Sequence, residues 1–334
     1  MTEKLHSLRP APDRDWIEAS APGATRSTAA SGGVFGVWLL ASLLLLSGSA
    51  LAQDMEPRSY SNAPVGMNFL LASYGHTSGS VVADTSLPVQ DVQAQIHSAA
   101  IGYVRALDFF GRSGKVALIV PYTIGTASGL VAGQFKTARR SGLSDPRIKV
   151  SMNFFGAPAL RAPEFVKYRQ KTIVGGSLQI TLPLGQYDPR ERINLGANRW
   201  SLKPELGVSR ALGKWSLELY GSVTFFTSNH QYLQTSTRRQ QPIVAVQGHV
   251  AYSFRPRLWA AFDAVYFGGG RTTLNGVKNQ DLQTNARYGL TFSLPLARSQ
   301  HSLKFLVSNG LQTRPGANFL VLGTAFQYTW GGKR

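Results

Sequence analysis

Cysteine is absent from all 334 residues, which excludes a disulfide framework, cysteine-ligated metal and thiol chemistry. Charge is scarce as well. Asp, Glu, Lys and Arg make up 16% of the chain, against about 25% in an ordinary soluble domain. A soluble protein covers itself with such residues, whereas a surface facing hydrocarbon excludes them. Acids are the scarcest, 17 against 35 Lys and Arg, giving a net charge of +18. One uncharged apolar run exists, Val34 to Leu46, and it falls short of the roughly 20 residues that a membrane-crossing helix needs. Catalytic signatures are missing too. His76, His97, His230, His249 and His301 form no HExxH or i, i+4 pair, and no Gly-x-Ser-x-Gly elbow occurs. What the chain has in quantity is glycine (34), tyrosine (12) and a 43% hydrophobic share, too much for disorder.

The run VFGVWLLASLLLL ends in Ser47-Gly48-Ser49-Ala50-Leu51-Ala52. Its small-x-small ending is the pattern of a secretory signal and not of an anchor. Residues 1–52 are therefore expected to be a cleaved leader and signal, although Met1 to Gly33 is unusually long and polar for one. Cleavage after Ala52 removes four bases and four acids, so the net charge stays at +18. Beyond it we expect a short periplasmic segment, 53–65, a barrel over 66–330, and a tail, 331–334.

The remainder alternates. From Arg147 to Phe154, Ile148, Val150, Met152 and Phe154 are apolar while Arg147, Lys149, Ser151 and Asn153 are polar, the period-two pattern of a strand with two unlike faces. Arg199–Ser209, Trp215–Phe225 and Leu282–Leu296 repeat it, and weaker versions bring the expected number of strands to twelve. The connections alternate long and short, with one exception at Phe155 to Gln170. Short periplasmic turns, long outer loops and an even strand number are the signature of an outer-membrane barrel. A soluble sandwich has no reason to segregate its loops. The expected fold is all-β: a twelve-stranded antiparallel transmembrane β-barrel of the bacterial outer membrane. Trp200 and Tyr266 fall near outer strand ends, and Trp215, Phe254, Tyr328 and Trp330 near periplasmic ends, as aromatic girdles do. Trp259 alone takes lumen parity, which suggests a slipped strand. The ending Phe326-Gln327-Tyr328-Thr329-Trp330 suits recognition by outer-membrane assembly machinery.

Gly156-Ala157-Pro158-Ala159-Leu160, Leu182-Pro183-Leu184-Gly185-Gln186-Tyr187-Asp188, Asn194-Leu195-Gly196-Ala197-Asn198-Arg199-Trp200, with Lys203-Pro204-Glu205, and Tyr266-Phe267-Gly268-Gly269-Gly270-Arg271-Thr272-Thr273 resemble the outer-membrane family named for the MetA pathway of phenol degradation. The resemblance spans essentially the whole mature chain. It implies a channel-like barrel tied to catabolism of aromatic compounds, and it carries over no catalytic residue.

Strand parity directs Arg105, Lys115, Arg147, Lys149, Lys171, Arg199, Lys203, Arg287 and Lys304 into the lumen, against the acids Glu205, Glu218 and Asp263. The loop bases Lys136, Arg139, Arg140, Arg190, Arg192, Arg238, Arg239, Arg271 and Lys278 fall at the outer mouth. Bases that alternate with apolar residues along strands do not form the clustered patch that nucleic acid requires, so no nucleic-acid partner is expected. Gly268-Gly269-Gly270 before Arg271 lacks the helix that a phosphate cradle needs, and no cofactor or metal is expected. Unbalanced positive charge in a narrow passage attracts anions and repels cations. The expected function is passive uptake of small aromatic or anionic compounds through a pore lined by these residues, and not catalysis. The runner-up is a plugged, non-conducting barrel that works through its outer loops. The expected partners are the lipid bilayer, lipopolysaccharide and a small-molecule permeant.

Overall fold

The computed structural model describes residues 55–82, 89–131, 133–191, 193–296, 300–314 and 316–332. The expected leader and signal lie outside these residues. Twelve strands form the wall: β1 (Met67–Val82), β2 (Val89–Phe109), β3 (Arg112–Val131), β5 (Arg147–Phe155), β6 (Thr172–Thr181), β7 (Ser201–Leu212), β8 (Trp215–Phe226), β11 (Ile243–Arg255), β12 (Leu258–Gly269), β15 (Gln283–Pro295), β16 (His301–Gln312) and β17 (Gly316–Gly331). Each pairs antiparallel with its neighbours, and β1 pairs with both β2 and β17, so the sheet closes on itself. Closure leaves no edge strand among the twelve, which a hydrocarbon environment demands.

The wall is inverted relative to a soluble protein. Along β8, Trp215, Leu217 and Leu219 are exposed while Ser216, Glu218, Ser222 and Thr224 are buried. On β7, Leu206 is 66% exposed beside Glu205 at 6%. Polar side chains pack inward and a belt of Leu, Val and Phe faces out, which is stable only against lipid.

Five short strands lie where the sequence suggested plain loops. β4 (Gln134–Leu143) forms a hairpin with the outer half of β3, while β5 pairs with its inner half. Above the barrel, β9 (Asn229–Tyr232), β10 (Ser236–Gln240), β13 (Thr272–Leu274) and β14 (Val277–Lys278) make a second small sheet. These segments are too polar and too short to show an amphipathic pattern of their own, so pairing alone orders them.

Turns at the opposite end are tight. Between β2 and β3, Phe110 and Gly111 both have positive φ, 56° and 77°, the mirror-image turn that matches sheet twist. The long connection between Phe155 and Gln170 sits on this periplasmic side. It contains a single helical turn, α1 (Ala162–Phe165), and folds back on the rim, where Ser113 N–H donates to Ala157 O at 3.0 Å and Ala159 N–H to Gly111 O at 3.1 Å. Gly156 makes the corner: its φ is +78°, and a Cβ there would stand 1.7 Å from Thr172 O.

Candidate functional site: the barrel lumen

Parity along each strand places Lys115, Arg147, Lys149, Lys203, Glu205, Glu218, Asp263, Arg287 and Lys304 on the inner face, between outward Leu118, Val150, Leu206, Leu217, Phe262, Tyr288 and Phe305. Arg199 is buried at the outer mouth just ahead of β7. Two expectations fail. Arg105 shares the outer face of Ile101 and Tyr103, and its Nη1 donates to Asn68 Oδ1 at 3.4 Å. Lys171 is exposed at the periplasmic rim. His97 lies on the same outward face as Arg105, with Nδ1 2.6 Å from the Tyr74 hydroxyl. The error in β2 has a physical origin. The strand is 21 residues long and outlasts the bilayer, so its outward face is polar at Gln93 and Gln95 and apolar at Ile101 and Tyr103. The hydrophobic phase thus reverses halfway along an unbroken strand. Arg105, near the membrane edge, can extend its guanidinium to water.

The segment expected in the periplasm, 53–65, is placed differently by its described part. Residues 55–65 rise into the barrel and cross its interior. Val65 N–H donates to Leu160 O at 2.9 Å, and Asn62 Nδ2 to Pro158 O at 3.1 Å. Above them, Tyr60 is 1% exposed, packs edge-on against Tyr220 with centroids 5.1 Å apart, and donates its hydroxyl to Glu205 Oε1 at 3.0 Å. Its ring fits because the wall is notched: a Cβ on Gly175 or Gly207 would approach it to 2.5 or 2.4 Å. Arg58 N–H donates to Glu218 Oε2 at 2.6 Å, and its guanidinium lies 5.4 Å from the Trp259 ring centre. The lumen parity of Trp259 is therefore correct, with no slipped strand: it is an inner-face platform for Arg58 and for Lys304, whose Nζ is 5.8 Å from the ring centre. Ser59 O accepts from Lys115 Nζ at 3.0 Å, and Glu56 pairs with Lys149 at 2.7 Å. The Lys149 ammonium draws the Glu56 carboxyl down to about 2. Met55, the innermost described residue, packs on the apolar cluster Ile243, Ala245, Val265 and Phe267. Nothing in the composition of 53–65 forecasts this, because the receiving groups come from strands distant in sequence.

The inward acids are fully engaged. Glu205 lies 4.0 Å from Lys149 and 3.9 Å from Lys203. Glu218 accepts from Tyr220 at 2.5 Å and Ser209 at 3.1 Å. Asp263 holds His249 Nδ1 at 2.7 Å and Thr291 Oγ1 at 2.6 Å. His249 and Asp263 face each other across the β11–β12 hairpin because a bulge between Ser253 and Arg255 shifts the register by one residue, an offset that symmetry about the Pro256-Arg257 turn does not reveal. Such a pair orients an imidazole for base catalysis, yet His249 Nε2 is buried without a partner. Among the described residues no nucleophile completes the constellation.

The outer loops are stapled by Asp145, whose carboxylate accepts from Gly185 N–H at 2.8 Å and Ala197 N–H at 2.7 Å. A Cβ on Gly185 would stand 2.7 Å from Asp145 N, and one on Gly196 2.8 Å from Gly185 C. Gly185 and Gly196, each within a stretch that carries the family resemblance, therefore serve to fold one loop tightly over the mouth.

Residues 73–329 match the model of the family described as "Putative MetA-pathway of phenol degradation". Among solved structures, the COG4313 outer membrane channel from Pseudomonas putida F1 is similar at a TM-score of 0.70 and 18% identity, covering 83% of this chain and 100% of that one. The transport unit of the autotransporter AIDA-I from Escherichia coli gives a TM-score of 0.49 at 8% identity, covering 88% and 99%. The KdgM porin gives 0.39 at 9%, covering 78% and 99%. No curated protein matches the chain.

Proposed function

Because the chain belongs to this phenol-degradation family, we propose that it is an outer-membrane channel for passive uptake of small anionic and aromatic compounds. The barrel is of the bacterial outer-membrane type, with its apolar belt in the lipid and its loops among lipopolysaccharide. One observation carries the reading: the charge of the inner face. Seven inward or mouth-facing bases (Lys115, Arg147, Lys149, Arg199, Lys203, Arg287 and Lys304) stand against Glu205, Glu218 and Asp263, and the entering segment adds Glu56 and Arg58, which offset each other. A net positive, partly desolvated passage favours anions. Aromatic carboxylates gain most from such a passage, since their charge bars them from hydrocarbon.

The second reading, a non-conducting plugged barrel, is favoured by the packing of residues 55–65 against β3, β5, β7 and β8. Reversal potentials in planar bilayers separate the two. Chloride and benzoate should permeate better than potassium, and the Lys149→Glu, Lys203→Glu double variant should reduce or reverse that preference, with weaker selectivity at high salt. A silent wild-type barrel would establish the plugged reading, and a cation-selective one would refute the role of these lysines.

A further inference from the structure

The outer mouth concentrates cationic groups that the protein leaves unsatisfied. Arg199 is 3% and Arg238 9% exposed. Arg199 donates one N–H to Gln240 Oε1, but its Nε and Nη1 have no partner, and neither have Arg238 Nε and Arg271 Nε. Arg238 and Gln240 stand two apart on β10 and so share a face, which brings the two guanidinium groups to one place. Gln240 Nε2 donates to Gly270 O at 3.0 Å, next to Arg271. Among the described residues no carboxylate lies within ion-pair distance of Arg199, Arg238 or Arg271. The nearby acids are occupied: Asp145 by two backbone N–H groups, and Asp281 by the Thr272 backbone at 2.8 Å and its hydroxyl at 2.5 Å. Burial works against the charge on both Arg199 and Arg238, and the two repel each other. Guanidinium groups do not deprotonate to escape such a site, so the missing partner is an anion.

Directly beneath lies an apolar floor. The Arg199 guanidinium stacks on the Phe226 ring at 4.4 Å, and Phe226 packs on the cluster of Ile243, Ala245, Val265 and Phe267, where Met55 also rests. A cationic fork above an apolar, ring-lined floor is complementary to an amphiphile with a carboxylate head.

We propose that Arg199 and Arg238 form a seat for an apolar monocarboxylate at the outer mouth. The carboxylate bridges the two guanidinium groups, and the body of the ligand takes the place of Met55 over Phe226 and the Ile243 cluster. The proposal rests on the channel reading and names the chemistry by which that channel selects. Planar forks suit bidentate carboxylate binding, and desolvated donors left unpaired in the free protein favour an anion able to fill them.

The test uses the full-length barrel in phosphatidylcholine nanodiscs, with benzoate, benzyl alcohol and acetate as probes, followed by equilibrium dialysis. Benzoate should bind at least tenfold more tightly than benzyl alcohol, which lacks the charge, or acetate, which lacks the ring. Arg199→Gln and Arg238→Gln should each weaken benzoate tenfold or more and leave benzyl alcohol unchanged, and Arg199→Lys should recover only part of the loss. Arg238 lies on the outer sheet and not in the barrel wall, so its variant tests the seat even if Arg199→Gln disturbs the barrel, a point checked by heat-modifiable gel mobility. Benzoate affinity that survives both glutamine substitutions together, or equal affinity for benzyl alcohol, overturns the proposal. Arginine-dependent binding without benzoate current refutes the channel and keeps the seat; benzoate current with arginine-independent binding does the reverse.

Discussion

Tyr60→Ala is the sharpest perturbation of the segment that enters the lumen. The ring is 1% exposed, rests in the notches at Gly175 and Gly207, and stacks edge-on against Tyr220. Truncating a buried aromatic side chain to alanine costs about 3–5 kcal/mol. Loss of the hydroxyl donor to Glu205 at 3.0 Å falls within that range, because the carboxylate keeps Lys203 and Lys149 nearby and a charged hydrogen bond is worth only about 1.5–3 kcal/mol. Taking about 4 kcal/mol for the docked segment, its release becomes roughly a thousandfold more populated, at 1.36 kcal/mol per decade. Arg58 reports this directly, since its backbone is held by Glu218 and its side chain by Trp259. Trypsin should leave Arg58 intact in the wild-type barrel and cut after it in Tyr60→Ala, with a parallel rise in single-channel conductance. A folded Tyr60→Ala barrel with Arg58 still protected and conductance unchanged would mean that this ring does not hold the segment in the lumen.

Four further outcomes follow from the same geometry. Val150 is outward and 40% exposed, so Val150→Arg should destabilise the barrel by about 2–4 kcal/mol if it lies near the midplane; urea unfolding in lipid vesicles measures this, and a loss below about 1 kcal/mol would place the residue outside the hydrocarbon. The Glu56 carboxyl is drawn from 4.5 down to about 2 by Lys149, so its contribution to docking is complete above pH 4.5 and disappears as pH falls toward 2. Glu56 is partly exposed, which limits the effect to about 1 kcal/mol, read as an acid-induced rise in conductance that Glu56→Gln abolishes. Asp263→Leu strands His249 and Thr291 and should cost about 1–3 kcal/mol by the same unfolding assay, while Arg105→Ala, on the outer face, should leave anion selectivity unchanged.

The strand number, the closed barrel and the two faces of β5, β7, β8 and β15 were set by local pattern. Alternating residues on a strand must face opposite sides, and scarce charge with a lipid-compatible face admits few folds. That is why Lys149, Lys203, Glu205, Glu218, Asp263 and Arg287 could be assigned inward from sequence. Three things lay beyond local pattern. Arg105 was misassigned because β2 passes out of the bilayer, so the environment outside it changes from lipid to water while its backbone does not change phase. Trp259 looked like a slipped register because its partners, Arg58 and Lys304, come from opposite ends of the chain. The placement of residues 55–65, and with it the pairing of Glu56, Arg58 and Tyr60 with Lys149, Glu218 and Glu205, depends on groups brought together only when the sheet closes. Periodicity records which side of a strand a residue takes; what waits on that side is decided by contacts between distant segments, and these leave no period in the sequence.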